Sequence, residues 1–241
     1  MTFARIASVA AVLAASFVAH VAAAQEELAG RADPNAHVTV GMAEFGVGLL
    51  SLPNASVCGS STRSECSKGD NSVALSAWPL FRWGHFATGA GVMLGLTSST
   101  DAPRNDPPDV PRDHTRRYFT VEITGRYYVP ITGGFEGWVG VTSGLGVVND
   151  TFQSQQGLTD QALIGQRGVT LLTQGYTLGL GFGLDAPIAT NWLIGGRARI
   201  ADWFLPGTSQ TDPFEDTASL RGVVTTVDIS LTIAYRSRLL F

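Results

Sequence analysis

Charge is scarce in this chain. Asp, Glu, Lys and Arg make up 15% of its 241 residues, and the formal net charge is −4. No basic field exists to hold a phosphate backbone, so a nucleic-acid partner is not expected. Cysteine is nearly missing, with Cys58 and Cys66 alone. Two sulfurs with no nearby histidine do not make a metal site. The four histidines, His20, His37, His85 and His114, are scattered along the chain. No cofactor and no metal are therefore expected. Past the N-terminus there is no hydrophobic run of helix length, so no membrane-spanning helix is predicted. What is plentiful is glycine, at 28 residues.

The N-terminus reads as an export signal over residues 1–24. Arg5 supplies the positive charge, Ile6 to Val18 is apolar, and Ala22-Ala23-Ala24 precedes Gln25 as a small-residue cleavage site. A short periplasmic segment, 25–36, follows. Export makes a disulfide between Cys58 and Cys66 the natural reading of the polar stretch that holds them.

The rest of the chain, 37–241, alternates with a period of two. From Val223 to Arg236 the odd positions include Val227, Ile229, Leu231 and Ile233; the even ones include Asp228, Ser230, Thr232 and Arg236. Such a segment is a strand with unlike environments on its two faces. Eight such stretches are predicted, at about 37–50, 72–83, 85–97, 115–129, 135–148, 169–185, 191–204 and 221–236. The first breaks phase at Ala43–Glu44, which predicts a bulge, and Pro79 is expected at a strand end. Connections alternate between short turns and long polar ones, the long ones at 51–71, 98–114, 149–168 and 205–220. Aromatics gather near the strand ends, among them Trp78, Trp83, Phe86, Tyr127, Tyr128, Trp138, Trp192, Tyr118 and Trp203, and predict two interfacial girdles.

The polar faces carry the candidate site. Glu44, Glu122, Arg197, Arg199 and Asp228 are expected at mid-height inside a barrel. Arg126 is expected to face Glu136 lower down, and Asp185 lies low as well. Gly179 and Gly181 are expected to leave room for the two arginine arms. Eight strands leave an interior just wide enough for side chains, and charges shielded there must pair. The network is read as structural filling or as a gate. The loop around His114, rich in Asp and Arg, is read as solvated.

These features together resemble the small outer-membrane β-barrel family of Gram-negative bacteria: the outer-membrane-protein-A transmembrane domain, OmpX-like and opacity-protein-like barrels. The resemblance covers about residues 30–241. It implies an all-β, eight-stranded, antiparallel up-and-down transmembrane barrel with short periplasmic turns and long extracellular loops. It implies a monomer in the outer membrane among lipids and lipopolysaccharide. It also implies a barrel-assembly machinery that reads the last strand, with Tyr235 and Phe241 as its signal. Two other readings compete. One is a soluble, exported, lipocalin-like barrel whose apolar faces line a cavity for a small lipophile. The other is an outer-membrane lipid-modifying enzyme using His114 or His85.

Overall fold

In the computed structural model, residues 39–58, 66–96, 100–101, 112–131, 134–154, 168–210, 218 and 220–239 are described. The expected export signal, the segment 25–36 and Phe241 lie outside the described residues. The strands are β1 (Thr39–Cys58), β2 (Cys66–Trp83), β3 (Phe86–Gly95), β4 (Thr100–Asp101), β5 (Arg112–Pro130), β6 (Glu136–Ser154), β7 (Gly168–Pro187), β8 (Trp192–Phe204) and β9 (Val223–Leu239). Every ladder is antiparallel, and β1 pairs with β9 while β3 pairs with β5. The sheet therefore closes on itself. β4 only continues the β3 position beside β5, at Thr100↔Thr115 and Asp101↔His114. The wall has eight staves, as expected for an up-and-down barrel.

The short turns are built for tightness. Gly84 takes φ 59° between β2 and β3, and Gly134 takes φ 83° ahead of β6. A side chain would strain either position, because both lie in the left-handed region.

The structure corrects several expectations about the strands. No bulge occurs at Ala43–Glu44, since β1 pairs without a break from Thr39 to Leu52 on β2; the irregularity falls between Leu52 and Ser56. The apparent break arises because Val40 and Met42 are apolar residues on the inward face. Pro79 lies inside β2, where the β2–β3 ladder omits Trp78 and Pro79. Its missing N–H costs no ladder bond there. The long connections are also shorter than expected. Residues 51–58, 66–71, 112–114 and 149–154 are strand. A 19-residue strand such as β5 is about 60 Å long, whereas about 9–11 tilted residues cross a bilayer. The hairpins at the long-loop end thus project well beyond a membrane. Their polar sequence hides them, because both faces carry polar residues and no apolar alternation results. At one such tip the ladder sets Cys58 directly opposite Cys66; the two thiols themselves lie outside the described residues.

Burial is inverted relative to a soluble protein. Phe45, Val47, Leu49, Val121, Ile123, Val139, Val141, Leu178, Leu180, Phe182, Ile229 and Leu231 are exposed on the outer wall, while Glu44, Glu122, Arg199 and Asp228 are at most 2% exposed inside. The lipocalin-like alternative required the opposite arrangement, with apolar faces around a cavity, and it does not hold. Part of the expected girdle is also corrected. Phe81, Trp83, Phe86, Tyr127, Phe135 and Trp192 ring the outside near the short turns, but Trp78, Trp138, Tyr128, Tyr118 and Trp203 are buried in the lumen. Strand-end position alone does not tell which face an aromatic occupies; strand parity does.

Candidate functional site

β1 and β5 set the order of layers in the lumen. Along β1 the inward residues run Val40, Met42, Glu44, Gly46, Gly48, Leu50, Leu52. Along β5 they run Tyr128, Arg126, Thr124, Glu122, Thr120, Tyr118, Arg116, His114. From the short-turn end upward, these mark an open funnel, an apolar ring, a charged layer, a second apolar layer and a polar cluster.

The charged layer is one alternating chain. Arg126 donates twice to Glu44, at 2.6 and 3.0 Å. Arg197 reaches Glu44 at 3.4 Å and Asp228 at 3.6 Å. Arg199 lies 3.9 Å from Asp228 and donates to Glu122. The order Arg126–Glu44–Arg197–Asp228–Arg199–Glu122 holds three cations and three anions, so the chain is neutral. Hydroxyls finish it: Thr177 donates to Glu122 at 2.7 Å, and Arg197 donates to Ser76 at 3.1 Å. Aromatic faces cover the cations. The Arg126 guanidinium carbon sits 4.1 Å from the Trp138 ring centre, and that of Arg197 sits 5.5 Å from Trp78. Bidentate pairing and ring stacking suit arginine rather than lysine.

Glycines make the layer possible. A Cβ at Gly183 would fall 2.5 Å from the Trp138 ring, and one at Gly144 would fall 2.6 Å from the Glu122 backbone. The sequence reading assigned such space to Arg197 and Arg199. Gly181 does pair with Arg199, but Gly179 pairs with Ala201, and the glycine opposite Arg197 is Gly183, which chiefly admits the indole.

Six of the eight expected charges join this chain, and two do not. Glu136 does not face Arg126. The β5–β6 register places Gly140 beside Arg126 and Glu136 beside Pro130, four residues closer to the turn. Glu136 is instead held by Arg82 through bonds of 2.8 and 2.9 Å, at the funnel rim. Asp185 is 3% exposed, and its Oδ2 has no protein partner; no ion pair of Asp185 occurs among the described residues. Sequence reasoning missed Arg82, Ser76, Trp78 and Trp138. The inward parity of their strands was the available signal.

Below the charges, Met42, Trp78, Leu80, Leu193 and Ala234 pack together. Above them, Leu50, Leu52, Ala74, Met93, Tyr118, Val148, Trp203, Leu205, Leu220 and Val224 fill the bore. Leu205 and Leu220 come from the β8–β9 connection, which folds inward through Leu205 N–H to Gly222 C=O at 2.8 Å. The charged layer is thus capped by apolar packing on both sides.

The cluster near the upper mouth is buried, not the solvated loop that its sequence suggests. His114 is 4% exposed, its ring stacks on Phe152 at 4.5 Å, and Nε2 lies 2.7 Å from Asp150 Oδ1. Arg116 bridges Asp150 at 2.7 Å and Asp70 at 3.3 Å, and Tyr118 donates to Asp70. The outer face at this height is polar, with Thr115, Arg117 and a Thr151–Thr170 hydroxyl pair at 3.1 Å, so the cluster stands above the apolar belt. Burial pushes the Asp150 carboxyl up, but the His114 hydrogen bond and the Arg116 charge outweigh it and hold the group below the usual carboxylate range.

Closed wall, apolar exterior and charged interior define the class: a small β-barrel of the outer-membrane type. No protein-family model matches the chain, and no curated protein matches it. Among solved structures, it is similar to Neisserial surface protein A, at 9% identity and a TM-score of 0.47, over 81% of this chain and 96% of that one. It is similar to the attachment invasion locus protein Ail of Yersinia pestis, at 12% identity and a TM-score of 0.43, over 83% and 99% of the two chains. The N-terminal barrel domain of OprF from Pseudomonas aeruginosa aligns at 9% identity and a TM-score of 0.39, over 84% and 100%.

Proposed function

We propose that this chain is a non-enzymatic integral outer-membrane protein, with a closed lumen and with its projecting hairpins as the working surface. The observation that carries this reading is the inverted burial. A continuous apolar belt on the outer wall is stable only against lipid, and a buried ion-pair chain is stable only when water is displaced by partners. The apolar layers on either side of that chain support filling rather than gating. The hairpins extend beyond the belt, where lipopolysaccharide and a surface partner are in reach. The chain acts as a monomer whose last strand, with Tyr235 and Phe241, is read by the assembly machinery.

The test is fractionation. The protein should sediment with outer membranes and migrate faster unboiled than boiled in SDS gels. Recovery as a soluble periplasmic monomer would overturn the reading. In planar bilayers it should give no stepwise currents. Deleting Phe241 should lower the yield of folded barrel. The Cys58–Cys66 register supports a disulfide at the β1–β2 tip; intact mass of the unreduced, alkylated protein should show no thiol modified.

A further inference from the structure

The funnel at the short-turn end is a cavity of about 840 Å3 whose charged lining residues are Arg82, Glu136, Arg236 and Arg238. The apolar ring of Met42, Trp78, Leu80, Leu193 and Ala234 floors it, so a solute that enters can bind but not pass. The charges of the lining do not balance. Arg82 is committed to Glu136 by a two-bond pair and stacks on Tyr128 at 4.3 Å. Arg236 reaches the same Glu136 only at 3.9 Å, and its side chain is 35% exposed. Arg238 is exposed and has no acidic partner among the described residues. Three arginines against one glutamate give the lining a charge of +2. Asp185 pairs with Glu136 across β6–β7, but it is buried and does not line the cavity. Counting it would still leave this mouth cationic.

The ladders place the two spare guanidinium groups side by side. Arg236 stands opposite Met42 and Arg238 opposite Val40. Residues two apart on a strand share a face, and the buried Met42 marks this face as the inward one. The Arg236 N–H donates to the Asn191 carbonyl at 2.8 Å, which sets the β7–β8 turn against the same wall. Thr190 and Asn191 of that turn add hydroxyl and amide donors to the lining, and Val40 and Met42 add an apolar floor. Convergent polar groups beside apolar surface in a concave space make up a small-ligand site.

We propose that the funnel binds a soluble phosphomonoester, with its phosphate on Arg236 and Arg238 and its organic part on Val40 and Met42. Charge selects the group. A phosphomonoester carries about −1.5 to −2 at neutral pH on three acceptor oxygens, which matches the two spare arginines. A carboxylate or a phosphodiester carries a single charge and would neutralise one arginine alone. Arginine's planar fork also fits phosphate oxygens two at a time. The lining residues face the bore, whereas Trp83, Phe86 and Trp192 occupy the outer wall at this rim. The site is therefore entered from water along the barrel axis, and its ligand is a solute. Binding needs only the folded barrel, so its failure would leave the outer-membrane reading untouched.

The test uses the protein in phosphatidylcholine nanodiscs, where both mouths meet solvent, and titration calorimetry with phenyl phosphate. Binding should be saturable and one-to-one. Diethyl phosphate, which carries a single charge, should bind about fivefold more weakly through the loss of one exposed ion pair. Arg236→Gln/Arg238→Gln should lower the phenyl phosphate affinity about tenfold at low salt, as the loss of two such pairs predicts. Arg221→Gln, beside the β8–β9 pair Phe204↔Val223 at the opposite end of the barrel, should leave it unchanged. Gel heat-modifiability confirms that each variant is folded. Should the double variant fail to fold, Arg238→Gln alone, at an exposed position, should still weaken binding about threefold. Phosphatidic acid, a lipid with a phosphomonoester head group, should not compete when doped into the disc; competition would overturn the soluble source and assign the site to a lipid phosphate. The site itself would be overturned by no binding of phenyl phosphate, by equal binding of the diester, by an affinity indifferent to the Arg236 and Arg238 variants, or by an equal loss in Arg221→Gln.

Discussion

Neighbouring residues of β9 live in opposite solvents. Leu231 and Ile229 are 70% and 63% exposed on the outer wall, while Asp228 and Ser230 between and beside them are buried. The same contrast runs round the barrel, from Phe45 and Glu44 on β1 to Ile123 and Glu122 on β5. The outer face needs no partners, because lipid asks only for apolar surface. The inner face depends wholly on partners, because a charge withdrawn from water is stabilised only by an opposite charge and hydrogen bonds. The two faces should therefore fail differently. Outer positions tolerate any apolar residue and reject charge. Inner positions reject the loss of a charge.

The largest effect should come from Glu44→Gln. Among the described residues, Glu44 is the sole carboxylate bonded to Arg126, and it also serves Arg197. Its loss leaves a buried guanidinium without an anion, and such breakage costs about 3–5 kcal/mol. Urea unfolding of vesicle-inserted barrel would measure it. The double variant Glu44→Gln/Arg126→Met should recover most of that loss. An unchanged midpoint in the single variant would show that the lumen charges do not depend on pairing.

The outer face is probed by the reverse operation. Leu231→Arg adds a charge at a position 70% exposed within the belt. A cation facing the bilayer midplane costs about 2–4 kcal/mol, falling toward zero near the interfaces. Leu231→Ile should be near neutral in the same assay. If Leu231→Arg is also neutral, the belt does not face lipid.

This contrast also explains what could be read from the sequence. Alternation is visible wherever the two faces differ, so Val227–Ile233 against Asp228–Thr232 gave the strand, the barrel and five of the mid-lumen charges. Pairing was not visible, because each ladder fixes its own register. Arg126 and Glu136 flank one turn yet belong to different layers, four residues apart along β6. Trp78 and Trp138 were mistaken for belt residues because aromatics suit both an interface and a cation's face. The outer hairpins read as loops because polar residues on both faces remove the alternation. His114 was hidden for the same reason. Its partner Asp150 is distant in sequence, and only the β5–β6 ladder brings them together.

The cluster around His114 stands between the two regimes, buried but above the belt. Asp150→Asn should destabilise the upper barrel at neutral pH by about 1–3 kcal/mol, because it removes the carboxylate that Arg116 holds at 2.7 Å and that His114 also bonds. The sign with pH follows from the depressed Asp150 carboxyl. Its contribution is present above the unfolded-state value, near the ordinary 3.8, and is lost as pH falls through the lower folded value. The gap between wild type and Asp150→Asn should be constant from pH 7 to about 5 and should narrow below about 4. Hydrogen exchange of β5 and β6 amides would follow it. A gap that widened in acid would mean that the carboxyl is not held ionised by His114 and Arg116.

The smallest effect, and the finest division between wet and dry, is expected from one substitution made twice. Arg126→Lys and Arg82→Lys each replace a two-bond fork with a point charge. Arg126 and Glu44 are 2% and 1% exposed as side chains, whereas Arg82 and Glu136 are 15% and 19% exposed at the funnel rim. Lysine at 126 also loses the planar contact with Trp138, and its burial keeps bulk solvent from compensating. Lysine at 82 sits where solvent can replace a lost bond, so its cost should stay within about 1 kcal/mol and shrink with added salt. The Arg126→Lys cost should exceed it and be indifferent to salt. Equal salt sensitivity at the two sites would place the charged layer in contact with bulk water, and the apolar rings of Met42 and Leu50 would then not be seals.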